Sequence, residues 1–320
     1  MKNHAWCITD GSAGMISQCI GLCTAMALDG QNKTVDIRKA WSILPSGWYP
    51  SPGWAIKNLE HFPLNQCPKY VISCGRRAVY ISLYLKSKLG SNIVTIHIQD
   101  PKINSKHFDY VIAPYHDGIS GSNIIRNEFA INHITQAILK DHLDRYRHHF
   151  QEINKPIILV TLGGKNRHFR FDIEDINKMC DLISTTTTHF NAHTIILFSR
   201  RTPERIKSFC HQRFSQSTSI IVWHDPNFNP YITLLAMATY IIVTSDSTSM
   251  ISEAVATQKP TYVYQLPLKK RKSRVQSFIN HLLNKQVIAK LQYPLPTCVP
   301  VTVNETEKIG QMLISQINKI

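Results

Sequence analysis

The 320-residue chain carries 36 Lys+Arg against 21 Asp+Glu, a formal net charge of +15, and 43% of its residues are hydrophobic. That length predicts two domains, each with its own core, and that apolar share excludes a disordered basic tail. The excess of cations attracts nucleic acid, an anionic membrane or a phosphorylated metabolite, and composition alone does not choose among them.

The chain alternates β-branched runs with helical stretches. In the first half, strands are predicted at 5–9, 35–38, 70–73, 93–98 and 110–114, and helices near 15–28, 76–89 and 132–150. In the second half, strands are predicted at 157–162, 194–198, 219–223, 240–244 and 261–264. Helices there fall near 172–187, 202–214, 230–238, 247–257, 273–284 and 305–317. Strand–helix alternation predicts parallel sheets covered on both faces, and runs such as IILV and YIIV are apolar throughout, as doubly covered strands are. The expected domains are 1–151 and 152–303, with a seam in the polar stretch 151–156. The longest uncharged stretch, 227–245, holds Pro230 and several hydroxyl residues, so it reads as helix plus strand and not as a membrane span. The N-terminus enters a strand almost at once, which argues against a cleaved signal and for a cytoplasmic chain. Eight Cys are present without a CxxC pair, and Cys19 and Cys23 read as small core residues.

In open parallel sheets, ligands sit beyond the carboxyl ends of strands. Seven strand-end loops carry candidate chemistry. Asp10-Gly11-Ser12-Ala13-Gly14 follows the first strand, where two Gly allow a tight turn facing a helix N-terminus. Ser73-Cys74-Gly75-Arg76-Arg77 places two Arg at an expected helix start, against the helix dipole, which calls for an anion or a carboxylate. Gln99-Asp100-Pro101 ends the next strand, and His116-Asp117 follows the one after, with acid–base chemistry within reach. Gly163-Gly164-Lys165 offers backbone amides and a cation to a phosphate. Ser199-Arg200-Arg201-Thr202-Pro203-Glu204 reads as a helix start, with Thr202 as cap, plus two Arg suited to a diphosphate. The last loop, within Val243-Thr244-Ser245-Asp246-Ser247-Thr248-Ser249-Met250-Ile251-Ser252-Glu253-Ala254, is rich in hydroxyls at the end of a buried strand, and Glu253 stands one turn further in, able to accept from two ribose hydroxyls. The dense basic run Lys269, Lys270, Arg271, Lys272 and Arg274 fits a solvated face or an anionic membrane.

The motifs resemble the elongated-mitochondria family, named after a plant mitochondrial-fission factor. They are AGMISQCIGL at 13–22, SCGR at 73–76, QDP at 99–101, FDYVIAPYHD at 108–117, LGG at 162–164, SRRTPE at 199–204, NPY at 229–231 and SDSTSMISEA at 245–254. The resemblance covers almost the whole chain. Gln258 stands where the family usually has Gly in the turn after the last motif.

The resemblance implies an α/β fold of GT-B type: two Rossmann-like parallel-sheet domains facing a cleft, with 304–320 as a C-terminal helix crossing back to the first domain. It implies a glycosyltransferase that moves a sugar from a nucleotide sugar to an acceptor at the cytoplasmic membrane face, without a metal or other cofactor. The donor site would comprise Gly163, Gly164, Ser199, Arg200, Arg201, Asp246, Ser247, Ser249, Met250 and Glu253. The acceptor side would comprise Gly11, Gly14, Gln18, Gly75 and Arg76. Asp10, His116 and Asp117 are the candidates for the general base. Two alternatives stay open: a nucleotide-sugar epimerase of the same fold, and a non-enzymatic scaffold recruited to membranes. A phosphorylated metabolite becomes the first partner for the excess charge, an anionic membrane the second, and nucleic acid is not expected.

Overall fold

The computed structural model describes residues 4–39, 41, 52–269, 273–300 and 304–318. Packing divides the chain into two compact units, Met1–His133 with Asn304–Ile320, and Ile134–Val303. Each contains a six-stranded sheet whose neighbouring strands are all parallel.

In the first unit, β1 (His4–Thr9), α1 (Ala13–Ala25), β2 (Asp29–Thr34), β3 (Tyr70–Cys74), α2 (Ala78–Leu89), β4 (Val94–Ile98), β5 (Tyr110–Pro114) and β6 (Ile124–Asn127) form the order β2-β1-β3-β4-β5-β6. β3 is buried along its whole length, as a doubly covered strand requires. The expected strand at 35–38 is corrected: β2 is the six residues before it. Its polar side chains are mostly exposed on the sheet edge, so no apolar run marks it, yet it pairs with β1 from His4↔Asp29 to Thr9↔Thr34. A Cβ on Gly30 would stand 3.0 Å from both the Cys7 and the Cys23 Sγ, so the edge strand lies close over the core. β6 is a second edge strand that hydrophobic patterning did not reveal.

The second unit begins with α3 (Gln136–Tyr146), a tighter turn at Arg147–Phe150, and β7 (Ile157–Leu162). The helix expected over 132–150 is thus shorter, because Thr135 caps it by accepting from the Ile138 N–H at 3.2 Å. α4 (Ile173–His189), β8 (His193–Phe198), α5 (Glu204–Phe214), β9 (Ile220–Val222), α6 (Tyr231–Met237), β10 (Tyr240–Thr244), α7 (Thr248–Ala256), β11 (Thr261–Tyr264), α8 (Arg274–Asn284) and β12 (Ala289–Lys290) follow. The strand order is β12-β11-β10-β7-β8-β9. α3 packs on α6, so 134–150 groups with this unit, ahead of the polar stretch at 151–156.

The final helix, α9 (Glu305–Ile317), belongs to the first unit and packs on α1. Ile309, Leu313 and Ile317 share a core with Cys19, Leu22, Cys23 and Met26. A Cβ on Gly310 would meet that of Ala25 at 2.5 Å, so glycine sets the spacing of the two helices. Glu305 accepts from the Glu128 N–H at 2.8 Å and the Phe129 N–H at 2.7 Å, fixing the helix start. Burial raises the Glu305 pKa, and those two amides oppose the shift. All eight cysteines are free; Cys7 and Cys23 stand with their sulfurs 3.2 Å apart in the core. None of the described helices is long and apolar enough to cross a membrane.

Two buried features generate stability predictions. His97 on β4 is fully enclosed; its Nδ1 pairs with Ser73 Oγ at 2.8 Å, and its Nε2 has no partner among the described residues. Burial lowers its pKa from 6.5 to about 3. The unfolded chain therefore takes up this proton near pH 6.5 and the folded chain only near pH 3. Stability is full above that window and falls as pH drops through it, by about 1.4 kcal/mol per pH unit. Denaturant unfolding between pH 7 and pH 4 should show a shallower decline in His97→Phe than in the parent; equal slopes would refute the assignment. Gln258 follows α7 with φ 63°, in the left-handed region, so the turn keeps the geometry of glycine without glycine. Gln258→Gly should stabilise the protein by about 1 kcal/mol, read as a higher denaturation midpoint.

Candidate functional site

Each sheet reverses direction once: between β1 and β3 in the first unit, and between β7 and β10 in the second. Such reversals open a crevice at the carboxyl ends of the strands. Loops singled out from the sequence lie at both places.

In the first unit, Asp10 closes its own turn: Oδ1 accepts from the Ser12 N–H at 3.1 Å, and Gly11, at φ 83°, donates to Thr9 Oγ1 at 3.0 Å. Gln18 is buried, donating to the Gly14 carbonyl at 3.2 Å and accepting from Gln99 Nε2 at 3.5 Å. Gly75 has φ 82°, and a Cβ there would meet Met15 Sδ at 2.5 Å, so β3 and α1 are held together through it. Arg76 and Arg77 are exposed in the turn before α2, not inside its first turn as expected, because the chain must pass Gly75 before helical geometry begins. Asp117 lies in the Tyr115–Asp117 turn after β5; the His116 side chain lies outside the described residues. β3 and β4 separate β1 from β5, so roughly 14 Å of sheet lies between Asp10 and Asp117. Gly11, Gly14, Gln18, Gly75 and Arg76 therefore gather around the β1/β3 reversal with Asp10, and Asp117 stands apart.

In the second unit, Asp246 joins three strand ends. Its side chain is fully buried. Oδ2 accepts from the Gly164 N–H at 2.9 Å and from the Arg201 guanidinium at 3.1 Å, and Oδ1 accepts from Thr244 Oγ1 at 2.7 Å. Thr244 Oγ1 in turn accepts from the Gly163 N–H at 2.8 Å. Burial raises the Asp246 pKa, opposed by the Gly164 amide, Thr244 and Arg201. The amides of Gly163 and Gly164, read from the sequence as phosphate donors, are thus engaged within the protein. Their lack of a side chain has a different cause: a Cβ would meet Asp246 Oδ1 at 2.1 Å or the Arg201 carbonyl at 2.1 Å.

Neighbouring loops brace this junction. Asn166 Nδ2 donates to the Asp246 carbonyl at 3.1 Å while Asn166 Oδ1 accepts from the His168 and Phe169 amides. The loop after β7 pairs with the loop after β11, Arg170 N–H donating to the Pro267 carbonyl and Lys269 N–H to that of His168, both at 2.8 Å. Lys269 Nζ is drawn in as well, donating to the Asn166 carbonyl at 2.9 Å. Lys270, Arg271 and Lys272 of the basic run lie outside the described residues. Thr202 is buried with its hydroxyl against the carbonyls that end β7, so α5 begins after Pro203 and not at Thr202 as the sequence suggested. Ser199 Oγ accepts from the Arg201 N–H at 3.2 Å.

Above the junction, α7 starts at Ser247, whose hydroxyl accepts from the Met250 N–H at 3.4 Å. Ser247, Thr248, Ser249 and Met250 are half-buried around this helix start, and the exposed side chains of Lys165, Arg200 and Arg201 lie on the adjoining loops. One turn into α7, Glu253 is only 7% exposed and accepts from the Tyr231 hydroxyl at 2.8 Å. Helix-start amides, hydroxyls and cations attract an anion, and a carboxylate one turn away attracts hydroxyls. Among the described residues, no group of three or more His, Cys, Asp or Glu could hold a metal ion. The sequence marks Thr244 only as part of the strand-end loop and Tyr231 only as part of a motif, and it does not mark Asn166. Tyr231 stands in the NPY motif, and only its meeting with Glu253 in space assigns it to this place. Gly163→Ala should destabilise the protein by about 2–4 kcal/mol, because the new Cβ must displace the buried Asp246 carboxyl group. A change under 0.5 kcal/mol in denaturant unfolding would show that the junction yields.

The chain is 28% identical to the uncharacterized protein RP120 of Rickettsia prowazekii over an alignment of 360 positions covering 97% of each chain. It is 25% identical to mitochondrial fission protein ELM1 of Arabidopsis thaliana over 219 residues, 61% of this chain and about half (51%) of the plant protein. Among solved structures it resembles the UDP-GlcNAc 2-epimerase from Neisseria meningitidis bound to UDP-GlcNAc, with TM-score 0.57, 13% identity, and coverage of 99% and 100%. The UDP-GlcNAc 2-epimerase from Methanocaldococcus jannaschii gives TM-score 0.55, 14% identity, and coverage of 98% and 100%. MurG of Acinetobacter baumannii gives 0.50, 11%, and coverage of 98% and 90%. These likenesses fit the two parallel-sheet units and establish a GT-B-like fold. A sequence model for the family described as mitochondrial fission ELM1 matches residues 13–317, and the chain belongs to that family.

Proposed function

We propose that this chain is a glycosyltransferase whose second unit binds the nucleotide part of a nucleotide sugar. The observation that carries the reading is Glu253, a nearly enclosed carboxylate one turn inside a helix whose first residues are Ser247, Thr248 and Ser249. A nucleoside diphosphate offers matching chemistry: vicinal ribose hydroxyls for Glu253, and two phosphates for the helix start and the Arg200 and Arg201 guanidinium groups. Since Gly163 and Gly164 spend their amides on Thr244 and Asp246, their part is to let the β7 loop approach closely. Asp246 holds Arg201 in place.

In the transfer, the acceptor oxygen bonds to the anomeric carbon as the bond from that carbon to the diphosphate breaks. The leaving oxygen keeps the electron pair, and the α7 N-terminus and the arginines stabilise its charge. If the anomeric configuration inverts, the acceptor proton goes to a base, for which Asp10, His116 and Asp117 are the candidates. In this reading the acceptor would lie on a membrane surface at the cytoplasmic face, which the 269–274 run would meet. Epimerisation is the second reading, favoured by the resemblance to solved UDP-GlcNAc 2-epimerases. It needs no acceptor, so NMR of products formed from a nucleotide sugar alone separates the two.

Calorimetric titration of the folded protein with UDP, GDP, ADP and CMP tests the site. One nucleotide should bind, and Glu253→Ala should weaken it at least about tenfold, the scale of lost hydrogen bonds to a buried charge. Binding of none, or unchanged affinity in Glu253→Ala, would overturn the assignment.

A further inference from the structure

Glu253 is gripped by a side chain to which the proposed reaction gives no part. Tyr231 opens α6, with its backbone N–H donating to Asn229 Oδ1 at 3.1 Å and its hydroxyl donating to Glu253 Oε2 at 2.8 Å. The approach to α6 is fixed by aromatic packing. Phe228 stacks on His149 at 4.4 Å between centroids and lies 5.2 Å from Tyr146, while the Trp223 indole N–H donates to the Phe228 carbonyl at 3.3 Å. Leu234 and Leu235 are fully buried, and α6 packs on α3. The Tyr231 hydroxyl therefore reaches Glu253 from an anchored backbone.

A glutamate carboxylate turns easily about its last torsion, so a single fixed donor at one oxygen is enough to select an orientation. Burial pushes the Tyr231 hydroxyl well above its ordinary pKa, and the Glu253 carboxylate adds to the shift. The phenol thus stays protonated and remains a donor. A carboxylate held in this way serves as acceptor for other donors, and a vicinal diol presents two.

We propose that Tyr231 is the positioning residue for Glu253, and that its hydroxyl sets the preference of this site for ribose over 2′-deoxyribose. The inference rests on the nucleotide reading above. The test uses the tightest binder among UDP, GDP, ADP and CMP together with its 2′-deoxy counterpart, titrated calorimetrically into the parent, Tyr231→Phe, Glu253→Gln and the double variant. The parent should prefer the ribonucleotide. Tyr231→Phe removes one oxygen and should lower ribonucleotide affinity about tenfold, with less than about a threefold change for the 2′-deoxy nucleotide. The double variant should bind no more weakly than Glu253→Gln alone, because both changes act through one carboxylate.

Equal losses for the two nucleotides, additive losses in the double variant, or no loss in Tyr231→Phe would each overturn the role of Tyr231. A parent that binds no nucleotide overturns both this inference and the nucleotide reading. Weakening by Glu253→Gln without weakening by Tyr231→Phe overturns this inference alone. Tyr231→Leu serves as a second variant if the Phe variant fails to fold, and the same selective loss is required of it.

Discussion

The second unit is organised around one buried carboxyl group. Asp246 has no exposed side-chain surface and accepts from an amide, a hydroxyl and a guanidinium, on the β7 loop, the end of β10 and the β8 loop. An uncompensated charge in such a place costs several kcal/mol, so each donor is required for the others to stay where they are. The glycines at 163 and 164 follow from this constraint: the carboxyl group and the Arg201 backbone occupy the space their side chains would need. The sheet's reversal point is therefore tied together by the protein's own groups. Arg201, half-exposed, faces inward to Asp246 and outward to solvent at once.

Much of this architecture is legible in the sequence, for a physical reason. Strands covered on both faces must be apolar throughout, so 110–114, 157–162, 240–244 and 261–264 show themselves with their observed limits. Edge strands have no such obligation. β2, Asp29 to Thr34, is polar and is made a strand by its partner β1, a fact that no local pattern encodes. Local sequence mislocates a helix start where a neighbouring element captures the capping group, as the end of β7 captures the Thr202 hydroxyl.

The candidate site was legible to a different depth. Hydroxyl-rich and glycine-rich loops at strand ends mark Ser247, Ser249, Gly163 and Gly164, because residue type and position along a strand suffice for that. What each atom does depends on residues far along the chain. Gly163 meets Thr244, Gly164 meets Asp246, and Glu253 meets Tyr231. Such pairings across 22 to 82 positions leave no local trace. Chemistry alone makes Asp10 and Asp117 alternatives, and the strand order separates them.

The return of α9 to the first unit bears on how the protein is made. The second unit is one continuous stretch, 134–303, and all its strands leave the ribosome before α9 does. The first unit is different. Until Ile309, Leu313 and Ile317 have been synthesised, the α1 surface built from Cys19, Leu22, Cys23 and Met26 lacks part of its apolar cover. During translation the N-terminal sheet waits for this cover until the whole second unit has been synthesised. That interval exposes a sticky helix face in the nascent chain and makes the first-synthesised unit the last to be completed.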